Sequence, residues 1–368
     1  MLRELTAMPT AAGRESRVLA WIRAWARARR SVEVTRDEYG NLMLRRRGVE
    51  GPSPIVFAAH LDHPAFVVTG GDGKRVVAAF RGGVQEAYFV GSRVRGYRGA
   101  SSAEPTAAGR IEHYEPGEID GDGRRGDPTV RVRFARDPGL GPGDILTWDL
   151  GATAIRGDRV RAAACDDLAA VAAMLSAFDR LLKRRKSAKT PDVRLLCTRA
   201  EEVGFIGAMA ACRSGLIPSA ARIVALENSK SFAESPLGGG PIVRVGDRVS
   251  TFDPGLTYRV AEVAEAVAQR DPSFVWQRKL MAGGACEATA YQTLGYTATC
   301  VCLPLGNYHN MDEARGKIAP EIISLRDYHG LVRLLVALGD RLDETDGVPG
   351  GLRGRLDRLF EARRSLLD

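Results

Sequence analysis

Residues 193–208 read VRLLCTRAEEVGFIGA. The opening run is short, apolar and of strand length, and it is followed by two adjacent glutamates, Glu201 and Glu202. Neighbouring carboxylates repel and seek solvent, and a cation nearby reverses the sign of that argument. Taken alone, the pair reads as a surface turn.

The same pattern recurs outward from this stretch. IVFAA (55–59) is followed by His60 and Asp62, RIVAL (222–226) by Glu227, and TATCVCL (297–303) by the GNYHN loop with His309, while the turn before a helix expected over 166–182 supplies Asp166 and Asp167. Each has a plain structural reading. His60 fits a satisfied histidine at a strand end, Asp166 a helix N-cap, Glu227 a surface turn and His309 a loop residue. Their coincidence at five strand or helix ends favours another reading, because the carboxyl ends of strands in an open α/β sheet line one crevice.

Composition narrows the classes. The chain has 368 residues, 45% hydrophobic and 27% charged, as in a globular protein with a full core and room for a second module. No apolar run reaches the ~18 residues that cross a bilayer, and MLRELTAMPTAAGRE lacks the apolar centre of a signal peptide, so no membrane partner and a cytoplasmic location are expected. Six cysteines without CxxC spacing read as reduced thiols. The net charge of +8 is scattered, and its one dense cluster, KRRK at 183–186, reads as a solvated helix end; without interleaved aromatics, no nucleic-acid partner is expected.

Val18, Leu19, Ile22 and Trp25 mark a helix before the strand at 55–59. From about residue 66 to 150 the texture changes to short runs such as RVVAAF and TVRVRF broken by Gly and Pro, the pattern of a small all-β module. After ~155 alternating helices and strands resume, ending in helices near 320–340 and 352–366. The expected fold is therefore a mixed-sheet α/β/α domain, residues 1–65 and 155–368, interrupted by a β-rich, barrel-like insertion over 66–154.

The polar residues at the strand ends match a definite chemistry. Two divalent ions about 3.5–4 Å apart need a carboxylate that bridges both, an imidazole and carboxylates to complete their shells, and a free carboxylate near the attacking water. Mixed imidazole and carboxylate ligands favour zinc, with cobalt or manganese as substitutes. If Glu202 binds an ion its charge is neutralised, which leaves Glu201 to work as general base and then general acid.

These motifs resemble a known family. AAHLDHPAFVV (58–68), CDDLAAV (165–171), TRAEEVGFIGA (198–208), PLGGGPIVRVGD (236–247) and GNYHNMDE (306–313) form an ordered set similar to that of the tetrahedral aminopeptidases, the glutamyl-aminopeptidase-like dinuclear metallopeptidases. The resemblance implies that His60 and Glu227 are terminal ligands of one ion and Glu202 and His309 of the other, with Asp166 bridging and Glu201 the catalytic carboxylate. It further implies that Asp62 orients His60 and that Glu313 acts similarly on His309, as outer carboxylates commonly do. A homo-oligomer built from dimers, often of twelve subunits, and a peptide substrate are also implied.

The departures are specific. His63 stands where the family usually has Glu, Leu168 where Arg is usual, Glu227 where Asp is usual, and GGACEA, with Cys286 and Glu287, replaces GGTDA. Glu for Asp keeps the charge and lengthens the arm by one methylene; His63 is taken for a loop residue, and His113 and His329 receive no role. The expected activity is an aminopeptidase that removes N-terminal residues from peptides. An amidohydrolase or deacylase of N-acylated small molecules on the same ions, and a non-catalytic homologue, are the alternatives. The preferred N-terminal residue, the physiological metal and the subunit number are not legible.

Overall fold

The computed structural model describes residues 1–119, 121, 126–187, 190–345 and 350–367. Helices α1 (Leu2–Leu5) and α2 (Ser16–Arg27) lead into strands β1 (Val32–Arg36), β2 (Leu42–Arg46) and β3 (Ile55–His60). Strands β4 (Ala65–Asp72), β5 (Arg75–Arg81), β6 (Arg93–Tyr97), β7 (Ala107–Glu115), β8 (Thr129–Phe134) and β9 (Ile145–Trp148) follow. The chain continues through β10 (Ala154–Arg156), β11 (Arg159–Ala162), α3 (Leu168–Leu182), β12 (Val193–Thr198), α4 (Ile206–Arg213), β13 (Arg222–Lys230) and β14 (Ile242–Gly246). Next come α5 (Pro254–Arg270), β15 (Gln277–Leu280), α6 (Glu287–Thr293), β16 (Thr297–Leu305), β17 (Met311–Asp312), β18 (Lys317–Ile318), β19 (Glu321–Ser324), α7 (Leu325–Arg341) and α8 (Gly350–Arg363).

Eight strands form one mixed sheet in the order β1-β2-β12-β3-β13-β16-β14-β15. Its middle is parallel, β12 and β13 flanking β3 and β16 lying beside β13, whereas β2 joins β12 and β14 joins β16 in antiparallel fashion. The apolar runs are continuous because both faces are covered. In β3, Ile55, Phe57 and Ala59 pack into the core shared with α2, α3, α5 and α7, while Val56 and Ala58 pack into the core shared with α4 and α6. This is the mixed-sheet α/β/α arrangement expected from the sequence.

The six strands from Ala65 to Trp148 close into a barrel in the order β4-β5-β8-β7-β6-β9. Its strands obey a period of two: in β8, Val130, Val132 and Phe134 are buried and Arg131 and Arg133 exposed. Phe66, Phe80, Phe89 and Trp148 fill the interior, with ring centroids 4.8 Å apart for Phe66–Trp148 and 4.9 Å for Phe80–Phe89. Such pairs add about 0.5–1.5 kcal/mol each beyond their burial.

Three boundaries differ from the sequence reading, the first being the helix expected near 320–340, which begins at Leu325 because residues 321–324 form β19 beside β11. The strand expected to stop at Leu226 runs on to Lys230, because Glu227, Asn228 and Ser229 stay in register with Cys302, Leu303 and Pro304 of β16. The helix expected from residue 166 begins at Leu168, so Asp166 is not its N-cap, and Asp167, which occupies that position, makes no capping hydrogen bond. Leu168 is fully buried in the core, which accounts for an apolar residue there.

The KRRK cluster is an exposed helix end, with Lys183 3.6 Å from Asp179 and Arg184 paired with Asp340. All six cysteines are free. Among the described residues no helix is long and apolar enough to cross a membrane.

Candidate metal centre

Four adjacent parallel strands, β12, β3, β13 and β16, deliver their carboxyl ends to the same edge of the sheet. His60 is the last residue of β3, Glu201 and Glu202 follow β12, Glu227 projects from β13, His309 lies four residues beyond β16, and Asp166 precedes α3. The structure brings all six sequence-identified residues together.

Asp166 stands between the two imidazoles. Its Oδ1 is 3.3 Å from His60 Nε2 and its Oδ2 is 3.5 Å from His309 Nε2. On the first flank, Glu201 Oε2 and Glu227 Oε1 each lie 3.9 Å from His60 Nε2. On the second, Glu202 Oε2 lies 3.5 Å from His309 Nε2. Donor atoms of His60, Asp166 and Glu202, and separately of His60, Glu201 and Glu227, fall within 4.8 Å of one another. Asp167 joins Asp166 and Glu227 in a third such group, although its Oδ1 accepts the Asn228 amide at 2.7 Å.

Buried oxygens without hydrogen-bond partners are rare in folded proteins, and this cluster holds three: Asp166 Oδ1, Asp167 Oδ2 and Glu202 Oε1. Two imidazoles and several carboxylates with orphaned oxygens form a donor set suited to divalent cations.

Further contacts hold these candidate donor atoms in place. Asp62, fully buried, accepts the Glu201 N–H and the Glu202 N–H at 3.0 Å each, holding the double-glutamate turn. Its Oδ1 also faces His60 Nδ1, at 3.6 Å, beyond hydrogen-bond length. His309 Nδ1 lies 2.6 Å from the carbonyl of Gly83, in the loop after β5, so donation there leaves Nε2 free to ligate. The barrel segment therefore orients a residue of the α/β sheet.

Sequence reasoning missed one carboxylate. Glu321, fully buried, accepts the Cys165 N–H (2.7 Å) and Asp166 N–H (3.0 Å) on Oε2 and the His309 N–H (3.0 Å) on Oε1. It lies in the four-residue strand β19, and no motif or spacing marked it. Glu313, expected to support His309, is exposed and pairs with Lys230 at 2.7 Å. His63 is a loop residue, as expected, and is buried there, with Nδ1 2.5 Å from the Asp166 carbonyl and Nε2 2.9 Å from Asn310 Oδ1. Burial pushes its pKa down to about 4.

The backbone is constrained around these contacts. Among the described residues, the non-glycine positions with positive φ are Ala200, Phe205, Asn307, His309 and Asn310, all in the two loops that carry Glu201, Glu202 and His309. Left-handed backbone at such residues costs energy and gathers at functional sites.

Burial and the other carboxylates raise Glu201 well above the usual range, and burial pushes Glu202 up to about 8. Burial would also raise Asp166, but its contacts with His309 and His60 hold it well below that range. Burial pulls His309 down, yet Glu202 and Asp166 outweigh it and bring the imidazole to about 10. Carboxylates and imidazoles pushed this far from their ordinary values in one cleft mark a functional site. The cleft is further lined by Phe232, Arg244, Met281, Gly284 and Tyr308.

The profile of the M42 glutamyl aminopeptidase family matches residues 40–333. No curated protein matches by sequence. Among solved structures, an aminopeptidase from the archaeon Desulfurococcus kamchatkensis is 21% identical with a TM-score of 0.74, covering 95% of this chain and 97% of its own. A TET aminopeptidase from a marine-sediment Thaumarchaeota archaeon is 19% identical with a TM-score of 0.74, over 92% and 95%. The TET1 peptidase of Pyrococcus horikoshii, described as assembling into a tetrahedron or a large octahedral shell, is 20% identical with a TM-score of 0.72, over 92% and 98%. At these identities the likeness is one of fold.

Proposed function

The chain belongs to the M42 glutamyl aminopeptidase family, and on that premise we propose that it is a dinuclear metal-dependent aminopeptidase with Glu201 as its proton shuttle. His60, Glu227 and Asp166 would hold one ion, and Glu202, His309 and Asp166 the other. The observation that carries this reading is the position of Asp166, with one carboxylate oxygen toward each imidazole at 3.3 and 3.5 Å. Zinc suits these ligands, and cobalt or manganese would serve in its place.

Two divalent ions supply Lewis acidity that polarises a scissile carbonyl and acidifies a water. Glu201 takes the proton from the attacking water and returns it to the departing amine. Its raised pKa suits a group that must hold the proton between the two transfers. Asp62 holds Glu201 and Glu202 in register through their backbone N–H groups, so that one carboxylate binds and its neighbour stays free. The peptide lies along the cleft with its free amine against the acidic cluster.

We take residues 1–65 and 155–368 as the catalytic domain and 66–154 as an insertion serving assembly and substrate access. The dodecamer described for one structural neighbour and the tetrahedral or octahedral shells described for the TET1 peptidase support a homo-oligomer, which we expect to be built from dimers and to have twelve subunits.

Glu201→Gln is the decisive test. The variant should keep both ions by elemental analysis and lose aminoacyl-anilide hydrolysis by about 10²-fold or more. A metal-loaded variant with full activity removes Glu201 from the mechanism. Cleavage of N-acyl amino acids with no cleavage of aminoacyl-anilides assigns the site to a deacylase instead.

A further inference from the structure

We infer that Glu15, the last residue before α2, is a positioning residue for the reaction: it fixes the backbone turn that aims the Glu201 carboxylate. The inference rests on the aminopeptidase reading above. It adds a part of the chain that lies outside residues 40–333, the stretch that the family profile matches.

An acidic residue at the start of a helix ordinarily bonds the first N–H groups of that helix or faces its positive end. Glu15 occupies the N-cap position of α2, yet its side chain makes no capping hydrogen bond. It is fully buried, and its carboxylate reaches the segment that follows β12. Oε1 accepts the Ala200 N–H at 3.0 Å and the Gly13 N–H at 2.6 Å, while Oε2 accepts from Arg199 Nε at 2.7 Å. Arg199 is itself pinned: its other guanidinium nitrogens donate to the carbonyls of Tyr39 at 2.7 Å and Gly13 at 3.2 Å, and its N–H donates to Asn41 Oδ1 at 3.1 Å. The buried carboxylate is thus paired with a cation and engaged at both oxygens, the condition under which such a group holds its place.

Where these bonds fall gives them their consequence. Ala200 sits at φ 50, a left-handed conformation that costs energy for any residue with a Cβ. The successive N–H groups of Ala200, Glu201 and Glu202 are taken by two buried carboxylates, the first by Glu15 and the next two by Asp62. The same N-terminal segment also holds the loop of Asp62, since Thr10 Oγ1 donates to the Leu61 carbonyl at 2.8 Å. In the loaded enzyme Glu202 has an ion to anchor its side chain. Glu201 must stay off the ions, so the backbone around it decides where its carboxylate stands. Without the Glu15 acceptor, Ala200 relaxes toward right-handed or extended backbone and Glu201 swings away from the attacking water. Such a displacement slows proton transfer and leaves substrate binding in place.

Glu15→Gln keeps the length and volume of the side chain but offers one acceptor oxygen in place of two, so its NH2 must face either the Ala200 N–H or Arg199. The metal-loaded variant should hold two zinc ions by elemental analysis, lose about tenfold or more in kcat on leucyl p-nitroanilide, and keep KM within about twofold. Ala200→Gly in that background should recover about threefold or more of the lost kcat, because glycine takes positive φ without penalty. A role confined to overall stability would lower Tm and leave kcat, measured well below Tm, with nothing for glycine to recover. Amide hydrogen exchange of the loaded protein reads the turn without turnover: exchange at Ala200, Glu201 and Glu202 should quicken by about tenfold or more in Glu15→Gln, with β12 and β13 as protected as in the wild type. Should Glu15→Gln fail to fold, Glu15→Asp, one methylene too short to reach Ala200 and Arg199 together, carries the same measurements. Full kcat in the variant, a loss confined to KM or to bound zinc, a kcat loss that glycine leaves untouched, or unchanged exchange over residues 200–202 overturns the inference, while hydrolysis by the wild type leaves the aminopeptidase reading standing. Conversely, no hydrolysis by the wild type, together with quickened exchange in Glu15→Gln, removes that reading and keeps the control of the turn by Glu15.

Discussion

Replacing Glu321 by glutamine changes one oxygen for an amide nitrogen at the point where three backbone donors meet. The carboxylate accepts from Cys165 and Asp166 on one oxygen and from His309 on the other. Burial and the Asp166 charge push its pKa well up, but with donors on both oxygens the geometry is that of the ionised form. In Glu321→Gln the amide oxygen is best kept where two N–H groups converge, which turns the NH2 toward the His309 N–H. Two donors then face each other in a buried site, and His309, already at φ 53, must shift. A hydrogen bond to a charged acceptor contributes about 1.5–3 kcal/mol, and an orphaned N–H adds its own desolvation, so the loss falls at about 2–4 kcal/mol. Part of it appears as global stability. The rest appears as a weakened second ion, since outer-shell changes lower metal affinity by roughly 10–100-fold. Competitive chelator titration should resolve one tight ion on the His60 flank and one weakened ion on the His309 flank, and thermal denaturation should show a lower Tm. Two ions bound with wild-type affinity and an unchanged Tm would refute the positioning role.

Other consequences are equally direct. Gly207 opens the second turn after the double glutamate, and a Cβ there would sit 2.1 Å from the Arg199 carbonyl oxygen and 2.4 Å from its N; Gly207→Ala should cost at least about 3 kcal/mol by denaturant unfolding, and a cost below 1 kcal/mol would show that the loop can move aside. In the metal-free protein Glu202 titrates at about 8 instead of 4.5 and His309 at about 10 instead of 6.5. Both groups hold protons more tightly when folded, so the stability they give is complete below pH 4.5 and 6.5 respectively and is lost as the pH rises through 8 and 10. The metal-free Tm should therefore fall between pH 6.5 and 9 and saturating zinc should flatten that fall; a metal-free Tm that rises over this range contradicts the assignment.

Much of this was legible because the informative signals were local. Strand runs such as IVFAA and RIVAL are uninterrupted because both faces of the sheet are covered, and parallel neighbours must present their carboxyl ends together, so His60, Glu201, Glu202 and Glu227 could be gathered from one-dimensional pattern. The family motifs supplied roles that pattern alone left open. What stayed hidden depends on contacts between distant segments. Glu321 supports residues 156 and 12 positions away in the chain, and nothing in EIIS distinguishes its carboxylate from an exposed one. Glu313 was the nearer guess, yet its side chain faces Lys230 and solvent. Glu227 seemed to follow a strand that in fact continues through it, because polar residues inside a strand look like its end unless their partners are known. His63 lies in a loop, as read, but the partners that bury it, the Asp166 carbonyl and Asn310, come from elsewhere in the sequence.

The central claim concerns Asp166 as the shared ligand of two ions. A crystal structure of the zinc-soaked protein, with anomalous data collected on both sides of the zinc edge, tests it directly. The account requires two anomalous peaks about 3.5–4 Å apart, one against each carboxylate oxygen of Asp166. A single peak, or peaks that leave Asp166 untouched, would contradict it.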